Sequence, residues 1–72
     1  MSILETTLFV YENHMDEHFY VADLVRFVRK EIGRPYLMDG TVTRRLRELK
    51  GQGRINYKVL DSRKAFYKKI KD

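Results

Sequence analysis

The stretch TVTRRLRELKGQGRINYKVLDSRKAFYKKI, residues 41 to 70, holds two kinds of periodicity in one run. Val42, Leu46 and Leu49 recur at helical spacing, and Arg44 and Arg47 project to the opposite side. Past Gly51 and Gly53 the spacing changes. Ile55, Tyr57 and Val59 alternate with polar residues, and a second alternating run follows Asp61-Ser62-Arg63-Lys64. Alternation of this kind reads as two strands of a hairpin. The segment therefore predicts a basic helix from about 39 to 51, with Asp39 as its N-cap, followed by a hairpin from about 54 to 70. With those four residues as the loop, Val59 would lie opposite Phe66 and Ile55 opposite Ile70 on the core side. Lys58, Tyr67 and Lys69 would face outward.

Upstream, Ser2 and Glu5 form a capping-box pattern, and Leu4, Leu8, Tyr11 and Met15 then mark a first helix from about Ile3 to Asn13. Ile3, Val10 and the aliphatic part of Thr7 form a second stripe beside the first, and Phe9 points away from both. His18 to Tyr20 is short and aromatic, which predicts an extended segment able to pair with a later strand. Val21, Leu24, Val25, Val28 and Ile32 share one face of a second helix, with Arg26, Arg29 and Lys30 opposite. Gly33 stops that helix, and Pro35 keeps Arg34 extended.

The 72 residues suffice for a single domain, 1-72, and the absence of cysteine leaves only aliphatic and aromatic packing to hold it. Charge is distributed unevenly. Residues 1 to 40 carry 4 basic and 7 acidic side chains, a balance of −3; residues 41 to 72 carry 11 basic and 3 acidic, a balance of +8. Such asymmetry points to a polyanion-facing side, whereas the plainer reading is a solvated, lysine-rich surface.

An order of helix, short strand, two helices and a hairpin resembles the winged helix-turn-helix domains. The likeness is carried by Thr41-Val42-Thr43-Arg44-Arg45-Leu46-Arg47-Glu48-Leu49, by Gly53-Arg54-Ile55-Asn56-Tyr57 and by Ala65-Phe66-Tyr67. It implies an α+β winged-helix fold in which the third helix enters the major groove of double-stranded DNA and the hairpin, as a wing, meets the backbone. The residues that would then contact DNA are Thr41, Thr43, Arg44, Arg45, Arg47, Lys50, Lys58, Arg63 and Lys64. Arginine suits this role because its planar fork matches guanine O6 and N7, or a phosphate. Arg45, flanking the buried stripe, can instead pair with Glu48. Asp61 departs from an ideal phosphate-binding wing. Tyr36, Tyr57 and Tyr67 can donate to phosphate or stack on an unpaired base, or simply pack.

The expected activity is that of a small transcription regulator. The rival is a winged-helix module that docks on another protein and binds no DNA. Structured RNA ranks third, since the major groove of an A-form helix is too narrow for the third helix. Apolar excess on the first helix (Ile3, Phe9, Val10) suggests a homodimer. His14, Asp16, Glu17 and His18 are potential metal ligands, but no cysteine or further histidine completes a closed site, so a polar turn is preferred and no metal or cofactor is expected. No nucleophile-base pair and no phosphate-cradling loop is present, so an enzyme is not expected. The chain lacks an apolar run of membrane-spanning length and a basic leader, which predicts a cytoplasmic protein.

Overall fold

The computed structural model describes residues 2–71; Met1 and Asp72, the ends of the expected domain, lie outside the described residues. The chain runs α1 (Ile3–His14), β1 (His18–Tyr20), α2 (Val21–Ile32), α3 (Asp39–Gly51), β2 (Tyr57–Asp61) and β3 (Phe66–Lys69). The strands form one antiparallel sheet in the order β1-β3-β2. This is an α+β fold with the winged-helix arrangement: three helices, a short strand between the first two, and a C-terminal hairpin.

Ser2 caps α1 as the sequence predicts, its Oγ accepting the Glu5 amide at 3.0 Å. The buried face of this helix is Thr6, Thr7, Val10 and Tyr11, with Leu4 and Leu8 only partly covered. The reason is that α1 packs against both α2 and α3, so its most enclosed line follows the second stripe through Thr7 and Val10, with Thr6 and Tyr11 on its flanks. Two buried threonines are tolerated there because their hydroxyls donate back to the Ser2 and Ile3 carbonyls at 2.8 and 2.7 Å. Val10 is fully buried, which removes it from the surface the sequence had suggested for a homodimer. Phe9, at 39% exposure, and part of Ile3 remain.

α2 ends where expected. Gly33 takes a left-handed conformation (φ 71°), and the Gly33 and Arg34 amides donate to the Lys30 and Arg29 carbonyls, closing the helix. The start of α3 differs from expectation. Met38 is the N-cap residue and no side chain caps the helix; Asp39 is its first helical residue. The Asp39 carboxylate is drawn instead to Arg29, which donates from NH2 to Asp39 Oδ1 at 2.7 Å and from Nε to the Leu37 carbonyl at 2.7 Å. One arginine of α2 thus pins both the connection and the first turn of α3. Replacing Arg29 with Ala is expected to cost about 1–2 kcal/mol, the lower part of the range for charge-assisted hydrogen bonds because the guanidinium is partly exposed. Urea denaturation measures this, and Lys at the same position should not restore the loss because it has no fork to bridge two acceptors.

The hairpin forms, but in another register. Tyr57 pairs with Lys69, Lys58 with Lys68 and Val59 with Tyr67, and then the count shifts so that Asp61 pairs with Phe66. The shift is a β-bulge at Leu60, and the turn behind it is closed by Ala65 in the left-handed region (φ 50°). Since side chains alternate along a strand, an offset of one residue turns β3 over. Tyr67 and Lys69, expected outside, face the core; Phe66, expected inside, faces away from it, as does Lys68. Val59 is 45% exposed rather than buried. Ile55 is buried just before β2 but does not pair with Ile70, whose amide donates to the Asn56 carbonyl.

The inner face of the sheet is aromatic. Tyr67 stacks on Tyr57 at 5.1 Å and meets Phe19 edge-on at 5.8 Å, and Phe19 meets Tyr11 at 5.6 Å. These rings join Leu24, Val28, Val42, Leu46 and Leu49 in one core. Lys69 is threaded into it, with its Nζ donating to the Met15 carbonyl at 2.6 Å and lying 4.7 Å from the centre of the Tyr11 ring. The Tyr11 hydroxyl donates to the Asn56 carbonyl at 2.8 Å, and burial, aided by Tyr57 and Glu12, pushes its pKa up to about 12. Burial raises Tyr57 as well and lowers Lys69.

The tyrosines hold their protons more tightly folded than unfolded, so their effect is a loss of stability as pH rises from 10, the unfolded value, toward 12. Lys69 acts with the opposite sign: its lowered pKa weighs against the folded state at neutral pH, and that cost fades as pH rises to 10.5, the unfolded value. Above that pH the tyrosines set the trend, and unfolding free energy is expected to fall between pH 10.5 and 12. Tyr11→Phe should flatten that fall while lowering stability at pH 7 through loss of the bond to Asn56. Denaturant titrations at several pH values check both signs.

Candidate nucleic-acid interface

α3 is anchored by Val42, Leu46 and Leu49, all essentially buried, so the residues between them are fixed in direction. Arg44 and Arg47 are exposed, and neither takes part in an ion pair among the described residues. The Arg47 charge works against the burial that raises the Tyr57 phenol. Lys50, in the last turn of α3, donates to the Tyr57 carbonyl, so the end of α3 borders the wing.

The other expected contacts divide into two groups. Lys58 on β2 and Arg63 and Lys64 at the hairpin turn are exposed and, among the described residues, unpaired with acids. The turn is ordered by Asp61, whose Oδ1 accepts the Lys64 amide at 3.1 Å. Asp61 thus shapes the loop that presents the two cations as well as subtracting a charge from it.

The second group has structural partners. Arg45 pairs with Glu48 one turn on, as its position beside the buried stripe suggested. Thr43 donates its hydroxyl hydrogen to the Gly40 carbonyl at 3.1 Å, leaving the oxygen free to accept, and Thr41 is half-buried at the start of the helix. Lys50 donates to the Tyr57 carbonyl at 2.9 Å with its Nζ 4.5 Å from the Tyr57 ring centre, which makes it a strut between helix and wing. Arg54 forms a two-pronged pair with Glu5, NH1 to Oε1 at 3.1 Å and NH2 to Oε2 at 3.2 Å, tying the wing to the first turn of α1. Local sequence carries no sign of these last two bonds, since their partners lie elsewhere in the chain.

Of the expected contacts, Arg44, Arg47, Lys58, Arg63 and Lys64 thus stand exposed with no ion-pair partner among the described residues, while Arg45 and Lys50 are engaged within the fold. Such a set can meet phosphate oxygens, and the two arginines can also present forks to base edges.

The two histidines of the candidate metal cluster have different partners. His14 stacks on Phe27 at 5.2 Å with Nε2 3.7 Å from Glu31, whereas His18 lies over Phe66 with Nδ1 3.8 Å from Glu17. Among the described residues, no three His, Asp or Glu side chains converge to hold a metal, and no helix is long and apolar enough to cross a membrane. No family model, curated protein or solved structure matches this chain. The functional reading therefore stands on its fold and surface.

Proposed function

We propose that this protein is a small cytoplasmic DNA-binding regulator that lays the Arg44 and Arg47 face of α3 in the major groove of duplex DNA and braces it with the hairpin turn on the backbone. The observation that carries this reading is the pair of exposed, acid-free arginines on the outer face of a helix held rigidly by three buried anchors. Sequence discrimination belongs to Arg44 and Arg47; Lys58, Arg63 and Lys64 set register and affinity through phosphates. A single module of this kind buries roughly 600 to 1,000 Å² on DNA, enough for modest affinity that depends strongly on salt.

Neutralising five phosphates gives a slope of log affinity against log salt near −4.5, at roughly −0.9 per contact. Fluorescence anisotropy with random-sequence duplex DNA over a salt series measures it. A slope near zero, or no binding at low salt, would remove the electrostatic basis of the proposal. The rival protein-docking reading draws on Tyr36 and Met38 in the connection, 93% and 73% exposed. It would gain from a protein that ignored DNA and lost its partner on Tyr36→Ser.

A further inference from the structure

The register that turns β3 over also builds an aromatic surface whose rings duplex binding does not use. On the outer face of the sheet, Tyr20 and half-buried Phe66 are cross-strand partners with ring centroids 4.7 Å apart, and the His18 ring lies 6.0 Å from that of Phe66. Tyr20 is 44% exposed, and so is Leu60 in the bulge beside Phe66. Two residues further along the same face, His18, Lys68 and Lys58 stand side by side across all three strands. Neither lysine has an ion-pair partner among the described residues. A groove of about 250 Å³ runs beside the rings, lined also by Phe27, Asp23 and Arg26.

Aromatic rings left open to water are costly, and a ladder of like charges directly across strands is destabilising. Both costs are relieved by one kind of occupant. A nucleobase offers a flat face to the rings, and its phosphate offers negative charge to the lysines. Same-face neighbours along a strand are about 6.6 Å apart, so bases on Tyr20 and Phe66 would bring their backbone past Lys68 and Lys58. Duplex DNA cannot use the site, because its bases are already stacked. A neutral apolar protein surface would cover the rings but strand the lysines.

We propose that the outer sheet face, Tyr20 and Phe66 with His18, Lys58 and Lys68, binds unpaired nucleobases of a single-stranded nucleic acid. Base-on-ring stacking supplies the affinity without sequence preference, and the lysine row tracks the backbone. Apart from Lys58, which the duplex reading also uses, this site is separate from the Arg44 and Arg47 face, and its rings stand or fall independently of the duplex reading.

The test is fluorescence anisotropy of the full chain with a short labelled oligothymidylate, whose bases stack weakly on one another, alongside duplex DNA. Tyr20→Ala with Phe66→Ala is expected to weaken single-strand binding by at least about 10-fold and to leave duplex binding within twofold. Tyr20→Leu with Phe66→Leu, which keeps apolar volume and removes the π-faces, guards against a folding defect and should lose single-strand affinity to a similar degree. Lys68→Ala should reduce the single-strand salt slope by about 0.7. Conversely, Arg44→Glu with Arg47→Glu should affect duplex binding far more than single-strand binding, so the two sites fail separately. Single-strand binding that is absent, or unchanged in the folded Leu variant, would overturn the proposal. Sedimentation showing that the wild type is a dimer that the Leu variant converts to a monomer would overturn it as well, by making this face an interface between two copies.

Discussion

Reversing Arg44 and Arg47 to Glu together is expected to weaken duplex DNA binding by at least about 100-fold while leaving the fold intact. Each well-placed arginine contact to a base is worth roughly 1–3 kcal/mol, and replacing two cations with anions adds repulsion from the same phosphates. Both side chains are exposed and unpaired among the described residues, so stability should change by no more than about 0.5 kcal/mol. The corresponding lysine variant separates two contributions. Lysine keeps the charge and loses the fork, so affinity for random duplex should survive while preference for a selected site is lost. Anisotropy for binding, with thermal melting as the control, distinguishes these outcomes. Retained duplex affinity in the Glu variant would shift weight to the docking-module reading.

Leu46→Ala is expected to have the largest effect on stability. Leu46 is 1% exposed and lies between Arg45 and Arg47, so it fixes the direction of both. Emptying a buried leucine site costs about 2–5 kcal/mol, against a total of roughly 4–11 kcal/mol for a domain of this length. Much of the population would be unfolded or close to it at 37 °C, and DNA binding would fall through loss of the helix rather than of any contact. Leu46→Met, nearly equal in volume, should cost less than about 1.5 kcal/mol and retain binding. Urea denaturation of the three proteins gives both numbers.

Helical periodicity carried most of the fold in readable form. Gly33 stops α2 through a left-handed cap that glycine adopts without steric cost, and Ser2 caps α1 with the hydroxyl its sequence position offers. Where the reading failed, a distant or unmarked interaction had won. Asp39 has the right chemistry for an N-cap, but Arg29, ten residues earlier, claims its carboxylate. The hairpin register depends on a bulge at Leu60 and on Ala65 in a conformation that glycine or asparagine would normally signal. With neither residue there, the simplest alternation led to the wrong face of β3. Thr6 and Thr7 are buried on α1 because a threonine hydroxyl can be satisfied by its own helix, which a hydropathy pattern does not register.

The interface was legible to a similar degree. The exposure of Arg44 and Arg47, and the pairing of Arg45 with Glu48, follow from helical projection of adjacent residues. The engagement of Lys50 with Tyr57 and of Arg54 with Glu5 depends on tertiary neighbours. The pairing of exposed Tyr20 with half-buried Phe66 on the outer face is hidden by the same register difference, since simple alternation puts Phe66 in the core.

The proposed docking of α3 on DNA is tested most directly by titrating the ¹⁵N-labelled protein with duplex DNA and following backbone amide and arginine side-chain resonances. The proposed mode predicts shifts concentrated from Thr41 to Arg47, in the Arg44 and Arg47 guanidinium signals, and around Arg63 and Lys64 at the hairpin turn. Shifts confined to other surfaces, with the α3 signals unmoved at saturation, would contradict it.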